Sequence, residues 1–250
     1  MRRVGGHDDV AFRQSLPTLV TMVTLTFGLA ALEAARVSAW ELVLWLTLLA
    51  MIADGIDGPL ARRLQATSPL GQQLDSLADI VAFAVAPAFL FSTYYRGAPD
   101  PVRFGVALAF VLAGAYRLAR FHDQPAEDVF RGLPVTVAGP LLMVTVAGPF
   151  GAGVREAGSV GIGLAALMVC HLPFPTLARS RRWLLPAIAG VSLAVALWPR
   201  DETIAVVTAL TLGSYVVWGV VRGSVNRAGD VDNDVRGIDG EVREVVGPRP

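Results

Sequence analysis

The sequence reads as an all-α protein, a polytopic bundle of about eight transmembrane helices, and three observations lead there. Hydrophobic residues make up 54% of the 250 positions, and the mean hydropathy is +0.54, too apolar for an ordinary water-soluble domain. The apolar residues gather into runs about as long as a helix needs to cross a bilayer. The segments between those runs alternate between arginine-rich and arginine-poor, as the two faces of a membrane require.

Residues 1–15 are polar, carry Arg2, Arg3 and Arg13, and read as a cytoplasmic N-terminal segment. The run at 16–35 is long and more runs follow it, so it is expected as a retained first helix rather than a cleaved signal peptide. Further runs fall at 38–56, 76–95, 103–121, 133–152, 157–174, 183–198 and 203–221. Together they predict a transmembrane domain over 16–222, which the resemblance given below makes the catalytic domain. From 223 to 250 the chain mixes Asp, Glu, Arg and Gly with few large apolar residues, the composition of a disordered cytoplasmic tail. With the N-terminus inside, sixteen arginines fall on the cytoplasmic side; only Arg36, Arg96, Arg103, Arg155 and Arg200, five in all, fall opposite. Both termini are therefore expected at the cytoplasmic face of the cell (inner) membrane. Basic and acidic residues balance at 21 each, which speaks against a nucleic-acid partner. Cys170 is the single cysteine and cannot close an intramolecular disulfide. Most of the aromatics Trp40, Trp45, Tyr94, Tyr95, Trp183, Trp198, Tyr215 and Trp218 fall near run ends and read as an interfacial belt.

The stretch 54–79, DGIDGPLARRLQATSPLGQQLDSLAD, sets four aspartates into the seam between two apolar runs, where carboxylates are costly and mark function. Asp54, Asp57, Gly58, Ala61 and Arg62 are spaced to share one helix face. Gly71, Asp75 and Asp79 recur every four residues and share a face of the next helix. A turn at Ser68 and Pro69 would bring the two faces together. Four carboxylates in one small volume repel unless a cation lies among them. No His or Cys is present in the stretch, so the ligands are hard oxygens, which select Mg²⁺ or Mn²⁺ over Zn²⁺. Paired divalent ions on carboxylates suit a clamp on a pyrophosphate during phosphoryl transfer. Gly58 and Gly71 allow close approach to the backbone, and Arg62 offers a planar phosphate donor.

This stretch resembles the CDP-alcohol phosphotransferase signature and matches it at every signature position. The resemblance implies a membrane enzyme with a six-helix catalytic core that displaces CMP from a CDP-linked lipid or alcohol with a hydroxyl nucleophile. It implies two divalent cations, held by Asp54, Asp57, Asp75 and Asp79, with Asp79 also the general base, and a homodimer. Gly58, Ala61, Arg62, Ser68 and Gly71 then fall at the nucleotide site. The opening of the first run, Pro17-Thr18-Leu19-Val20-Thr21, is similar to the family's Pro-Asn-x-x-Thr entry that lines the nucleotide site, with Thr18 where the family has Asn and Thr21 retained; the resemblance implies that Thr18 and Thr21 join the CDP-lipid-binding residues.

Two further motifs bear on the acceptor. Arg117 and Arg120, one turn apart at the end of the fourth run, could grip a phosphodiester or an acceptor carboxylate. The words RLARF and FRGLP, residues 117–121 and 130–134, resemble the bacterial phosphatidylserine synthase branch. That resemblance implies CDP-diacylglycerol and L-serine as substrates. Glycerol 3-phosphate, inositol phosphate or another alcohol is the nearest alternative acceptor and would ask for more basic groups. An ion or metal transporter is the alternative of another class, because aspartates within a membrane also mark ion paths. The chain shows no internal repeat of the transporter kind.

Overall fold

The computed structural model describes residues 6–123, 129–148, 151–175, 211–217 and 219–220. The expected seventh run at 183–198, the first part of the eighth and the tail 223–250 lie outside these residues. In chain order the elements are α1 (Gly6–Arg36), α2 (Trp40–Arg63), α3 (Pro69–Asp79), a π-helical segment (Ile80–Val85), α4 (Ala86–Tyr94), α5 (Asp100–Asp123), β1 (Val129–Arg131), α6 (Val135–Ala147), α7 (Val154–Val169) and β2 (Pro173–Pro175). Four stretches are long and apolar enough to cross a membrane: Leu16–Arg36, Trp40–Arg63, Pro69–Tyr94 and Asp100–Arg120. The protein is thus an all-helical, multi-pass membrane protein in its architecture, with one small exception. β1 and β2 pair antiparallel over three residues each, which an all-α reading did not anticipate, because three-residue runs rich in proline carry no strand periodicity.

Helices α1 and α2 pack on one another, as do α5 and α7. The third span and α6 lie between these pairs, α6 touching α2, α4, the π segment and α7. Outward faces stay apolar. Phe104, Leu108 and Leu112 repeat every fourth residue along α5 and are all exposed, as a lipid-facing stripe requires. The expected fifth and sixth runs fold as shorter helices. At 1.5 Å per residue α6 reaches about 20 Å and α7 about 24 Å, short of a bilayer's hydrocarbon thickness of about 30 Å. For α6 this is tolerated because most of its surface, including Leu142, Met143 and Val146, is buried in protein.

The third span departs most from the sequence expectation. It begins at Pro69 rather than at 76, so α3, the π segment and α4 form one continuous path and the second half of the carboxylate stretch belongs to it. Directly after Asp79 the helix widens into the π segment, a feature that often accompanies functional sites. Glycines from three helices close around that segment. A Cβ on Gly28 of α1 would lie 2.8 Å from the Ala82 Cα, and one on Gly114 of α5 would lie 3.0 Å from the Ala84 Cβ. One on Gly139 of α6 would run into the Phe83 carbonyl oxygen. Small residues at these crossings let the backbones approach, the usual basis of helix association in a bilayer. They hold the segment that follows Asp79 from three sides.

The FRGLP motif acts first as a structural seam. Gly132 takes φ +86°, a left-handed conformation that suits glycine, and a Cβ there would meet the Met168 carbonyl. Its N–H donates to the Leu172 carbonyl and the Leu133 N–H to the Leu167 carbonyl, both at 2.9 Å. Together with the β1–β2 pairing, these bonds sew the start of α6 to the end of α7.

Candidate active site

The site is built where α1, the end of α2 and the start of the third span meet. The connector after α2 turns through Gln65 at φ +53° and reaches Ser68, whose Oγ accepts from the Gly71 N–H at 3.0 Å. Ser68 is therefore the N-cap of α3, with Pro69 at the first helical position, both favourable choices at a helix start. This cap fixes the register of Gly71, Asp75 and Asp79 relative to α2.

The two helices bring the carboxylates together. Asp54, Asp57 and Asp75 each offer an oxygen, and these atoms lie within 4.8 Å of one another. Asp79 is not in that group but meets the Asp54 side chain within hydrogen-bonding reach, and Asp57 meets Asp75 likewise. Asp57 and Asp79 are deeply buried, at 6% and 8% exposure. Carboxylates in such contact need a proton or a cation between them. The Thr21 hydroxyl of α1 donates to Asp57 Oδ2 at 2.9 Å and also lies 3.1 Å from the Pro17 carbonyl. Asp79 Oδ1 is buried without a hydrogen-bond partner. An all-oxygen cluster with an orphaned carboxylate oxygen beside it fits a hard divalent cation. Asp54, Asp57 and Asp75 thus form a cluster able to hold a metal ion.

A cleft of about 180 Å³ opens against one side of this cluster. Thr18, Thr21, Gly58, Ala61, Arg62, Ser68 and Gly71 all line it, and so do Asp57 and Asp75. Every residue expected at the nucleotide site therefore faces one volume. The Arg62 guanidinium lies over Gly58, its Nη1 3.5 Å from where a Cβ would stand, an ordinary contact distance. Thr67 and Gln72 also line the cleft and were missed in the sequence, because the signature's spacing runs past them as variable positions.

The two expected acceptor arginines part company. Arg117 lies in the electrostatic neighbourhood of Asp79 and Asp54 and is not among the residues that line the cleft. Its Nε is buried without a hydrogen-bond partner. Arg120 reaches the end of α7, where Nη1 donates to the Val169 carbonyl at 3.1 Å and Nη2 to the Cys170 carbonyl at 3.3 Å. A cation on the last carbonyls of a helix is favourable, so Arg120 contributes to the seam described above. Tyr215, expected in the interfacial belt, is instead buried at 6% exposure.

Fold and site together define a multi-pass membrane protein whose acidic cluster, able to hold a metal ion, adjoins a polar cleft. The chain belongs to the CDP-alcohol phosphatidyltransferase family, whose model matches residues 14–170. It is similar to the CDP-diacylglycerol--serine O-phosphatidyltransferase of Helicobacter pylori strain J99, at 31% identity over 82% of this chain and 90% of that protein. The protein of the same name from Bacillus subtilis is 29% identical over 64% of this chain and 89% of its own length. The one from Methanocaldococcus jannaschii is 38% identical over 50% of this chain and 56% of its own. Family membership makes the protein an enzyme, a CDP-alcohol phosphatidyltransferase, and sets the transporter alternative aside.

Proposed function

We propose that the protein transfers the phosphatidyl group of CDP-diacylglycerol to the hydroxyl of L-serine, releasing CMP. The observation that carries this reading is the junction of a cleft lined by all seven residues expected at the nucleotide site with the aspartate cluster, in a chain whose relatives bear that activity in their names. The cytidine diphosphate occupies the cleft, with its phosphates toward Asp57, Asp75 and Arg62. Two divalent cations, Mg²⁺ or Mn²⁺, held by Asp54, Asp57, Asp75 and Asp79, neutralise the pyrophosphate when bound. The serine oxygen forms a bond to the phosphorus that carries diacylglycerol. The bond from that phosphorus to the bridging oxygen breaks, CMP leaves with the electron pair, and Asp79 takes the hydroxyl proton. Arg117, on the Asp79 side of the cluster, receives the carboxylate of serine.

The same reading extends to the surroundings. Eight spans over 16–222 put both termini and the site at the cytoplasmic face of the cell (inner) membrane, supported by the sixteen-to-five division of arginines. The lipid substrate enters from that leaflet, and serine and CMP exchange with the cytosol. A homodimer is the assembly that the family resemblance implies. The purified protein with CDP-diacylglycerol and Mn²⁺ should release CMP only when L-serine is added. Equal release without serine, or with glycerol 3-phosphate in its place, overturns serine as the acceptor.

A further inference from the structure

The family-matched region ends at residue 170, yet helical residues 211–217 and 219–220 pack back onto the bundle. Leu212, Tyr215 and Gly219 are buried while Ser214 and Val217 are exposed, the three-to-four-residue spacing of a helix with one face inward. Leu212 and Tyr215 join the same buried cluster as the π segment and α6, and Val216 and Val220 pack against it. This late helix is therefore a wall of the core and not a peripheral addition.

What that wall presents to the interior is a buried phenol in the electrostatic neighbourhood of Arg117. The Tyr215 side chain and the Arg117 guanidinium lie within electrostatic reach of each other, and Arg117 in turn faces Asp79 and Asp54. Arginine carries a long side chain with many rotamers, and the Arg117 Nε lacks a hydrogen-bond partner. Arg120, a like charge in its neighbourhood, is engaged by the carbonyls of Val169 and Cys170. A rigid aromatic ring with only two side-chain torsions is suited to orienting Arg117.

We propose that Tyr215 is a positioning residue for the acceptor subsite: it orients Arg117 toward the acceptor, so that a helix beyond the family-matched region completes the Asp79 side of the site. The proposal rests on the reading that Arg117 receives the acceptor's carboxylate. It divides the enzyme's recognition between two parts of the chain. Signature residues of α1 to α3 face the nucleotide, and α5 with the late helix faces the acceptor.

The test is Tyr215→Phe in the full chain, which keeps the ring and removes the hydroxyl. The KM for L-serine should rise about five- to tenfold, the loss expected when a polar group that orients Arg117 is removed. The KM for CDP-diacylglycerol and the unfolding temperature in detergent should stay at wild-type values, a split that a merely structural role would not produce. In an Arg117→Lys background the same change should add nothing further, because the group being positioned has been altered. An unchanged acceptor KM in Tyr215→Phe, a matching rise in both KM values, or a full additional loss in the Arg117→Lys background overturns the proposal. Wild-type CMP release is measured first with serine and then with other alcohols. If serine fails, the serine assignment falls, and the Tyr215 variant is read by the KM of the alcohol the wild type does accept.

Discussion

Asp57 shows how one side chain can join two tasks. It faces the cleft, it belongs to the acidic cluster, and Thr21 donates to its Oδ2. A hydrogen bond onto a ligating carboxylate fixes the oxygen that remains free. Thr21→Val should therefore weaken the apparent affinity for Mn²⁺ by about tenfold or more, read as a rightward shift of the metal titration of CMP release. Binding of the metal is also visible without turnover. Mn²⁺ should raise the unfolding temperature of the wild type, since a ligand that binds the folded state stabilises it, and Asp57→Asn should abolish that rise. Asp79 has a different place, meeting Asp54 with one oxygen and leaving Oδ1 without a partner. Asp79→Asn keeps the shape and removes the proton acceptor. Its kcat should fall by about 10²- to 10⁴-fold, checked against an unchanged elution profile in detergent. A kcat within tenfold of wild type would exclude Asp79 as the base.

The third span carries the greatest mechanical demand of any element. Its first part, α3, is capped by Ser68 and presents Asp75 and Asp79. The π segment that follows is gripped by Gly28, Gly114 and Gly139. Gly139→Ala would drive a methyl group into the Phe83 carbonyl, an overpacking that costs about 1–3 kcal/mol. The unfolding temperature should drop, and activity with it, because the backbone after Asp79 must shift. Gly105→Ala is the matched control, since nothing lies within 4 Å of the added Cβ on the outward face of α5. Equal stability of the two variants would show that the glycine contacts do not hold the π segment. Ser68→Ala should cost about 1 kcal/mol through the lost cap and should also raise the KM for the CDP-lipid, because Ser68 lines the cleft.

Among the described residues the bundle divides into lipid-facing stripes, a buried apolar core and a polar cleft against the aspartate cluster. Its orientation is open to a direct check. With Cys170 replaced by serine and Thr67 by cysteine, a membrane-impermeant maleimide should label inside-out vesicles and spare right-side-out ones, because the cleft is proposed to face the cytosol. Much of this was already legible in the residue order. Apolar runs and arginine placement announced a helical membrane protein, since a bilayer demands long apolar helices and sorts positive charge. The aspartate spacing announced an acidic face able to hold a metal, since helix geometry alone aligns residues three and four apart. Other features depended on contacts between residues far apart in the chain, which no local pattern encodes. Among these are the division of Arg117 from Arg120, the seam made by FRGLP, the glycine grip on the π segment and the inward turn of Tyr215. Helical periodicity says which residues share a face. Only packing says what that face meets, and here it meets a second set of charges that the cleft-lining signature does not contain.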